Sequence, residues 1–379
     1  MGMDFEENAA GFRAGRTAFS PVTLFDVSRQ RVGTAGQVDL PEEGPSDRGT
    51  RLAWMAAREA MAQAGLSGGE MPMMIGTSAA AMPVGENYYR AAIAGNESRR
   101  VQFQRVESYQ AQRQMADMAR MLGVSGRIRI VSNACASGAN AIGQAFHLVR
   151  SGRAERVLAG GYDALCQLVF AGFDTLQALS PSGIPRPFDA ARDGLALGEG
   201  AGFVVVESAA AARSRGARII AEITGYGAAT DVHHLTQPHP EGDAALITMH
   251  AATRMAGLAP EQIDYINSHG TGTPLNDIAE GNAIRRWAGD AVSSIRVSST
   301  KSAIGHLLGG AGAVESVICL IALEKQFLPA SLNVREADAV CTFDLVRQPR
   351  AAAIQRVLTN SFGFGGANAT LVFEKEGAP

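Results

Sequence analysis

The sequence predicts an α/β fold with buried sheets. Helical and strand-like patterns alternate along the 379 residues, and several of the short β-branched runs end in glycines. Hydrophobic residues make up 46% of the chain and charged residues 19%, which is a globular composition. At this length the chain can form two ordinary domains or one large domain, so core size does not limit the fold.

The first half of the chain alternates between the two periodicities. Apolar residues at helical spacing predict helices over 51–64, 111–122 and 136–151, and Gly65 suits the end of the first helix. Apolar runs predict strands over 71–76, 128–131, 156–159 and 202–207.

The second half continues the same alternation. Helices are predicted over 209–215, 244–256, 277–287 and 303–325. Strands are predicted over 219–226, 265–267, 295–298, 357–360 and 369–374.

A tight turn around Cys135 joins a predicted strand to a predicted helix. Residues 130–138 have the sequence Ile-Val-Ser-Asn-Ala-Cys-Ala-Ser-Gly, and apolar residues then recur at helical spacing from Ala139. A helix N-terminus stabilises a thiolate, which is the nucleophilic form of cysteine. We therefore predict that Cys135 is a nucleophile with a lowered pKa, with a small buried cysteine at a strand end as the alternative.

Two glycine-rich segments each contain one histidine. His269 lies in residues 267–277, Asn-Ser-His-Gly-Thr-Gly-Thr-Pro-Leu-Asn-Asp, and His306 lies in residues 298–313 together with Lys301. A single histidine in such a place is more often structural than catalytic. One cysteine and two histidines in glycine-rich turns form a candidate covalent site with acid–base partners.

Five motifs, in this order, resemble those of the elongating β-ketoacyl-acyl carrier protein synthases, the condensing enzymes of fatty acid and polyketide synthesis. They are the Cys135 turn, residues 187–202 with Pro-Phe-Asp and Gly-Glu-Gly-Ala-Gly, the His269-Gly-Thr-Gly-Thr-Pro loop, Lys301-Ser to Gly305-His306, and residues 360–369 with Gly-Phe-Gly-Gly. The resemblance extends from about Arg48 to Glu374.

This resemblance implies a thiolase-like five-layer α/β/α/β/α fold built from two similar halves. We expect residues 1–208 to form the half that carries Cys135, and residues 209–379 to form the half that carries His269, Lys301 and His306.

The resemblance also implies a reaction. An acyl group moves from a carrier-protein thioester to Cys135, malonyl-carrier protein then loses carbon dioxide, and its carbanion attacks the acyl-enzyme. His269 and His306 are expected to stabilise the enolate as neutral imidazoles. Lys301 is expected to organise the histidine pair, with Glu315 as its acidic partner. An ordinary helix-surface glutamate is the alternative for Glu315.

Further roles follow from the same match. The backbone N–H groups of Cys135 and Phe364 are expected to form the oxyanion hole, and the Phe364 ring to act as a gate for malonyl. Thr271 and Thr273 are expected to bind the pantetheine arm, or else to be turn-forming hydroxyls. Ala79 aligns with a pocket residue that is often bulkier, which implies room for longer or stiffer chains. We interpret Asp231 and His234 as structural residues beside the site.

The beginning of the chain departs from the family pattern. Family members usually open with a strand and a glycine-rich turn, and this sequence has almost nothing equivalent before its residues 12–26. We therefore expect a shortened N-terminal strand, or another segment that covers that position in the sheet, because unpaired inner-strand backbone is unfavourable.

Two alternatives to a carrier-protein synthase are open at this point. A coenzyme A-dependent thiolase would have a second catalytic cysteine near its C-terminus, where this chain has Phe364, while Cys341 lies in an unrelated context. A chain-length-factor-like partner subunit would share the fold without being catalytic, but such subunits lack the nucleophile.

Composition limits the kinds of partner and bound group that we expect. A net charge of −3 gives no support for nucleic-acid binding, although an acidic carrier protein requires a local basic patch. The four cysteines show no CxxC spacing, so we expect neither a zinc site nor a disulfide framework. No cofactor is expected beyond the phosphopantetheine that the carrier protein brings.

Neither a secretory leader nor a membrane span is expected from the sequence. The N-terminus is acidic, and apolar runs such as residues 317–323 are too short to cross a bilayer. A reactive thiol also suits a reducing compartment, so we expect a cytoplasmic protein. We expect a homodimer, with a heterodimer containing a related ketosynthase-like subunit as the alternative.

Overall fold

The computed structural model describes residues 1–95 and 98–378. In the first half, its helices and strands follow in this order: α1 (Phe5–Arg13), β1 (Phe19–Pro21), β2 (Thr34–Gly36), α2 (Arg48–Gln63), β3 (Gly69–Glu70), β4 (Met73–Gly76), α3 (Met82–Ala94), α4 (Arg99–Ser108), α5 (Ala111–Met121), β5 (Val124–Ser125), β6 (Ile128–Val131), α6 (Ser137–Arg150), β7 (Arg156–Asp163), α7 (Gln167–Thr175) and β8 (Gly200–Glu207).

The second half follows as α8 (Ala209–Ser214), β9 (Glu222–Thr230), α9 (Asp243–Ala256), β10 (Tyr265–Asn267), α10 (Pro274–Ala288), β11 (Arg296–Ser298), α11 (Lys301–Ile304), α12 (Ala311–Lys325), β12 (Phe327–Leu328), β13 (Asp344–Leu345), β14 (Arg350–Ala351), β15 (Arg356–Phe362) and β16 (Ala367–Glu374). Short 3₁₀ turns lie at Pro260–Gln262, Gly289–Ser294, Leu308–Gly310 and Phe364–Gly366.

Two mixed sheets form the framework. The first sheet has the strand order β6-β4-β7-β8, and the second has the order β13-β11-β10-β15-β16-β9. In the first sheet β6, β4 and β7 are parallel, and β8 runs antiparallel to β7. In the second sheet β10 and β15 are parallel, and β16 runs antiparallel to β15. The remaining strands form three separate two-stranded pairs.

Helices lie on both faces of each sheet. The central helices α6 and α12 contact each other and touch both sheets. On the outer faces, α2 and α5 pack on the first sheet, and α9 packs on the second with α10 beside it. The result is the five-layer α/β/α/β/α order that the resemblance implies, with the largest apolar cluster between the two sheets.

Most predicted elements are present with ends shifted by a few residues, and one is wrong. The predicted helix over 303–325 is interrupted, because α11 ends at Ile304 and α12 begins only at Ala311. Gly305 has a φ of 80°, and the following residue, His306, forms a bridge to Leu197 of the first half. This interruption turns His306 out of helical geometry.

Several elements had no sequence prediction. The N-terminal region contains α1, capped by the Asp4 carboxylate, where almost nothing was expected. The helices α3, α4 and α7 were also missed. None of the helices within the described ranges is both long and apolar enough to cross a membrane.

Candidate active site

Cys135 lies in a strained turn between β6 and α6. Ala134 has a φ of 47°, which an alanine rarely adopts. Its carbonyl accepts hydrogen bonds from the Ser137 hydroxyl at 2.6 Å and the Ser78 hydroxyl at 2.9 Å. These two contacts fix the turn, and Cys135 stands two residues before the first residue of α6.

Burial controls the protonation of the Cys135 thiol. Loss of solvent raises the pKa of Cys135 to about 12, and the nearby Lys301 offsets only part of this increase. The negative charge of Asp163 raises the same pKa further. The predicted lowering of the pKa by the helix N-terminus is therefore wrong, because burial outweighs the groups that favour the thiolate.

His269 and His306 lie side by side, and both are buried. Their ring centroids are 5.4 Å apart with planes at 85°. The Nδ1 atom of His306 accepts a hydrogen bond from the backbone N–H of Leu308 at 3.1 Å. The Nδ1 atom of His269 lies 3.4 Å from Nζ of Lys301, an ammonium donor. With both Nδ1 atoms engaged as acceptors, each ring carries its proton on Nε2.

The two imidazoles are neutral. Burial lowers the pKa of His269 well below its usual value, and the charge of Lys301 and the nearby His306 lower it further. Burial and then Lys301 lower the pKa of His306 in the same way. Two neutral rings with Nε2–H donors can stabilise one developing oxyanion without the desolvation penalty of two cations.

Lys301 and Glu315 form a buried ion pair beneath the histidines. The Lys301 ammonium contacts Oε1 of Glu315, and both side chains are about 2% exposed. Burial raises the pKa of Glu315 to about 7, although Lys301 lowers it. The alternative of a helix-surface glutamate is wrong, because Glu315 is buried on the inner face of α12.

Glu280 of α10 holds the His269 loop and was missed from the sequence. Its carboxylate accepts the backbone N–H groups of His269 at 2.8 Å and of Gly270 at 2.7 Å, and also the amide of Asn360 at 3.1 Å. Burial raises the pKa of Glu280 to about 7. Its position eleven residues after the histidine, on the next helix, was the available signal.

Asp163 at the end of β7 is a second missed residue. Its carboxylate accepts the Thr77 hydroxyl at 2.7 Å, the backbone N–H groups of residues 78–80, and the backbone N–H of Gly309 at 2.6 Å. It thereby ties the loop that supports the Cys135 turn to the segment that follows His306. No local pattern could indicate contacts between residues so far apart in sequence.

Phe364 contributes both a backbone donor and a ring at the cavity mouth. Its backbone N–H hydrogen-bonds the Cys135 sulfur and favours the thiolate. Gly363 makes this approach possible, because a β-carbon there would lie 2.9 Å from the Cys135 backbone nitrogen. The ring is 42% exposed and stacks on Phe173 at 5.9 Å.

These groups line one cavity of about 390 Å³. Cys135, His269, His306 and Phe364 all contribute to its wall. Thr271 and Thr273 also line it, and their hydroxyls are 2.8 Å apart. The loop residues Asp231 and His234 lie at the wall as well, and Asp231 accepts backbone N–H groups of its own loop, as a structural residue would.

Ala79 lies outside this wall. It packs in an apolar cluster with Leu165, Phe170 and Leu195, and of these Leu195 also lines the cavity. Ala79 therefore belongs to an apolar cluster that meets the cavity at Leu195, and its part in chain-length selection stays a prediction.

Comparisons with known proteins agree with this site. Residues 25–212 match the family model for the β-ketoacyl synthase N-terminal domain, and residues 220–335 match the model for the C-terminal domain. The 3-oxoacyl-[acyl-carrier-protein] synthase 2 of Synechocystis sp. is 37% identical over 401 residues, which cover 99% of this chain and 95% of the relative.

Two solved structures have the same fold. The ishigamide ketosynthase/chain length factor matches with a TM-score of 0.89 and 34% identity, over 98% of this chain and 95% of that chain. The complex AntDE:AntF is a type II polyketide synthase acyl-carrier protein with its ketosynthase bound to the hexaketide. It matches with a TM-score of 0.88 and 28% identity, over 99% of this chain and 96% of that chain.

The family matches span both halves of the chain. The cysteine and the two histidines of the sequence motifs line a single cavity, and the lysine contacts His269 behind its wall. The chain therefore belongs to the β-ketoacyl synthase family of acyltransferases, which form carbon–carbon bonds.

Proposed function

We propose that this chain condenses malonyl-acyl carrier protein with an acyl group held as a thioester on Cys135, and so lengthens the acyl chain by two carbons. The observation that carries the proposal is the meeting of a thiol, two neutral imidazoles and the Phe364 backbone donor in one cavity. The carrier protein is the proposed partner, and the named AntDE:AntF complex supports this choice.

In the first step the Cys135 sulfur attacks the thioester carbonyl of the acyl-carrier protein. A new S–C bond forms, the bond to the pantetheine sulfur breaks, and the cysteine proton passes to the leaving thiol. The tetrahedral oxyanion forms next to the backbone N–H groups of Cys135 and Phe364. One such donor contributes roughly 10²–10³ in rate.

In the second step malonyl-carrier protein takes the place of the leaving group. The C–CO₂ bond breaks, and its electron pair forms an enolate whose oxygen accepts from Nε2–H of His269 and His306. The enolate carbon then attacks the acyl carbonyl, and the bond to the Cys135 sulfur breaks. The released Cys135 thiolate takes a proton from water, and its raised pKa favours this return to the thiol.

The proposal also covers the binding of the pantetheine arm, the need for a cofactor and the cellular compartment. We expect Thr271 and Thr273, which line the cavity, to bind the pantetheine arm. The chemistry requires no bound cofactor, because the phosphopantetheine arrives with the substrate. We place the enzyme in the cytoplasm, where a reduced thiol persists.

Variants that separate the two half-reactions test this proposal. The C135A variant should lose acyl transfer from acyl-carrier protein but keep malonyl decarboxylation. The H269A and H306A variants should slow decarboxylation by a factor on the order of 10² or more, because each removes one positioned donor, while Cys135 acylation suffers less. Intact-mass analysis of the protein and of the carrier protein measures both steps.

A matched control is H250A, which removes an exposed histidine from α9. Mapping of the acyl adduct to Cys166, Cys319 or Cys341, or wild-type decarboxylation by H306A, would contradict the assignment. A purified wild-type chain that takes no acyl group at all would favour the non-catalytic partner subunit instead.

A further inference from the structure

Asn368, near the start of β16, presents an unpaired amide to the catalytic cavity. Its side chain is 7% exposed, and it lines the same wall as Cys135 and the two histidines. Among the residues that the structure describes, none forms a hydrogen bond with this side-chain amide. Buried polar groups are nearly always paired, so a ligand that supplies an acceptor here would satisfy an otherwise unsatisfied donor.

Strand pairing places this amide near the catalytic histidines. Asn368 of β16 lies directly opposite Phe362 of β15 in the antiparallel ladder. Side chains of directly opposed residues stand on the same face of a sheet, with their β-carbons about 5 Å apart. The Phe362 ring in turn contacts the ring of His269, with the two centroids 5.5 Å apart. Asn368 therefore lies beside the Phe362 ring on the face of the sheet that holds His269.

A series of hydrogen bonds identifies the same face independently. Thr370, two residues after Asn368 and hence on the same face of β16, donates to the side chain of Asn360 at 2.8 Å. The amide of Asn360 donates to Glu280 at 3.1 Å, and Glu280 accepts the backbone N–H of His269 at 2.8 Å. The side of β16 that carries Asn368 is thus the side on which the His269 loop is anchored.

The wall of this cavity offers no cation to an anionic ligand. Of the described residues that line it, none is a lysine or an arginine. Lys301 lies behind the wall with its charge paired to Glu315, and Arg186 is paired at 2.8 Å to the wall residue Asp193. Both histidine rings are neutral, because burial lowers their pKa values. An anionic group that enters the cavity must therefore be bound by neutral donors.

The proposed reaction brings one such group into the cavity. The acyl and malonyl groups arrive on the same pantetheine arm, and the malonyl group differs by its carboxylate. A side-chain amide can donate to a carboxylate without carrying a charge of its own. A cationic partner would stabilise the carboxylate before the reaction and so oppose its loss as carbon dioxide. A neutral amide orients the carboxylate with less stabilisation of the ground state.

We propose that Asn368 forms a subsite for the carboxylate of the malonyl group, in which its amide N–H donates to a carboxylate oxygen. The inference rests on the proposed condensation and adds a substrate-binding residue to its second step. As the C–CO₂ bond breaks, its electron pair moves to the enolate and carbon dioxide leaves as a neutral molecule. The negative charge thus passes from the single amide donor of Asn368 to the two Nε2–H donors of His269 and His306. The transition state is then bound more strongly than the substrate, which accelerates the step.

Variants of Asn368 separate recognition of the carboxylate from the rest of the reaction. N368A removes the donor and should lower kcat/KM for decarboxylation of malonyl-carrier protein about tenfold, the effect of losing a hydrogen bond to a charged group. N368D keeps the size of the side chain but adds a negative charge, so its loss should be on the order of 10². Acyl transfer to Cys135 should stay within about twofold of wild type in both variants, because an acyl group without a carboxylate does not use the subsite.

Intact-mass analysis of the carrier protein follows the conversion of malonyl to acetyl, and intact-mass analysis of the enzyme follows the acyl adduct. The matched control is N282A, which removes an asparagine amide of α10 that donates to Pro240 at 3.1 Å and does not line the cavity. It should leave both steps unchanged. Thermal unfolding followed by circular dichroism should give the same midpoint for N368D as for wild type, which excludes loss of the fold as the cause.

Several results would overturn the proposal. Wild-type decarboxylation by N368A and N368D would do so, and so would equal losses of decarboxylation and of Cys135 acylation, since Asn368 would then bind the shared pantetheine arm. His234 is the other candidate donor, because its Nδ1 atom accepts the backbone N–H of Thr236 at 3.1 Å and leaves Nε2 to donate. Loss of decarboxylation in H234A but not in N368A would assign the carboxylate to His234 instead.

Failure of the subsite and failure of the proposed condensation give different results. In all the outcomes above, the wild-type chain still acylates Cys135 and decarboxylates malonyl-carrier protein. A wild-type chain that did neither would contradict the condensation itself, and the malonyl subsite with it.

Discussion

Burial shifts the pKa values of the reactive side chains in opposite directions, and both shifts favour the neutral form. It raises the pKa of Cys135 to about 12 and lowers the pKa values of His269 and His306 well below the usual value. A neutral thiol can approach a thioester without shedding a charged hydration shell. Neutral imidazoles can donate from Nε2 while Nδ1 is held, by the Leu308 backbone N–H in His306 and by the Lys301 ammonium in His269.

The neutrality of the histidines is a testable property of single residues. Because their pKa values are lowered, both rings should remain unprotonated as the pH falls from about 8 to about 6, a range in which ordinary histidines gain a proton. The ¹³Cε1 signals of labelled histidine, assigned with H269A and H306A, should stay constant over this range. A midpoint near 6.5 for either ring would contradict the burial argument.

Single residues also mark the limits of sequence analysis. Cys135, His269, His306 and Lys301 could be found because each lies in a local motif. The direction of the Cys135 pKa could not, since it depends on desolvation by segments that are remote in sequence. Asp163 and Glu280 escaped for a related reason, because they act by collecting backbone N–H groups from neighbouring elements.

At the scale of elements, loops between regular structures shape the mouth of the cavity. The turn after β15 is held by the loop that follows β9: the N–H of Gly365 bonds to Leu235, and the N–H of Asp231 bonds to Gly366. The ring of Phe364 projects from this turn and stacks on Phe173 of α7. Any backbone movement of this turn must therefore break these two hydrogen bonds or carry the loop after β9 with it.

Two neighbouring glycines allow this coupling to be tested. Both have positive φ, 78° at Gly365 and 83° at Gly366, so alanine is strained at either position. Only at Gly366 would the new β-carbon also collide with the backbone of Asp231, at 1.9 Å, whereas no described atom lies within 4 Å at Gly365.

G366A should therefore displace the turn and reduce the condensation rate by a factor on the order of 10 or more. G365A should reduce the condensation rate by a smaller factor. Steady-state kcat and KM for malonyl-carrier protein measure the effect, and circular dichroism checks the fold. Equal losses in the two variants would show that backbone strain alone, and not the contact with the Asp231 loop, causes the loss of activity.

Element-level prediction succeeded where periodicity was strong and failed where tertiary contacts override it. The sequence predicts one helix over 303–325, yet Gly305 and the bridge of His306 to Leu197 interrupt it. The helix α4 has almost no apolar periodicity to detect. The five-layer order followed from the family resemblance, because alternation alone does not specify how two sheets share their central helices.

At the scale of the whole molecule, one face of the chain remains apolar and open. No described residue of α3 or α4 is buried, and Tyr89, Ile93 and Phe103 are each at least 66% exposed. Strand β6 lies at the end of the first sheet and pairs only with β4 among the described residues. The adjoining residues Ser132 and Asn133, next to the nucleophile turn, are also exposed.

Because these side chains and this sheet edge would otherwise face water, we propose that a second copy of the chain covers them in a two-fold homodimer, the commonest closed arrangement. A related ketosynthase-like subunit is the alternative, and the named ishigamide ketosynthase/chain length factor keeps it open. In either assembly the edge of β6 and the exposed apolar side chains of α3 and α4 would be removed from water.

Light scattering on the purified chain should accordingly give twice the 39.6 kDa mass of one chain. Combined I93D and F103D substitutions should halve that mass and reduce condensation, because two charges would be buried in an apolar contact. I247D is the matched control, since it places the same charge on an exposed isoleucine of α9 and should leave the dimer intact. A stable, active wild-type monomer would contradict the proposal. Recovery of folded protein only with a co-expressed synthase-like partner would favour the heterodimer, because the same apolar face would then require a different second chain to cover it.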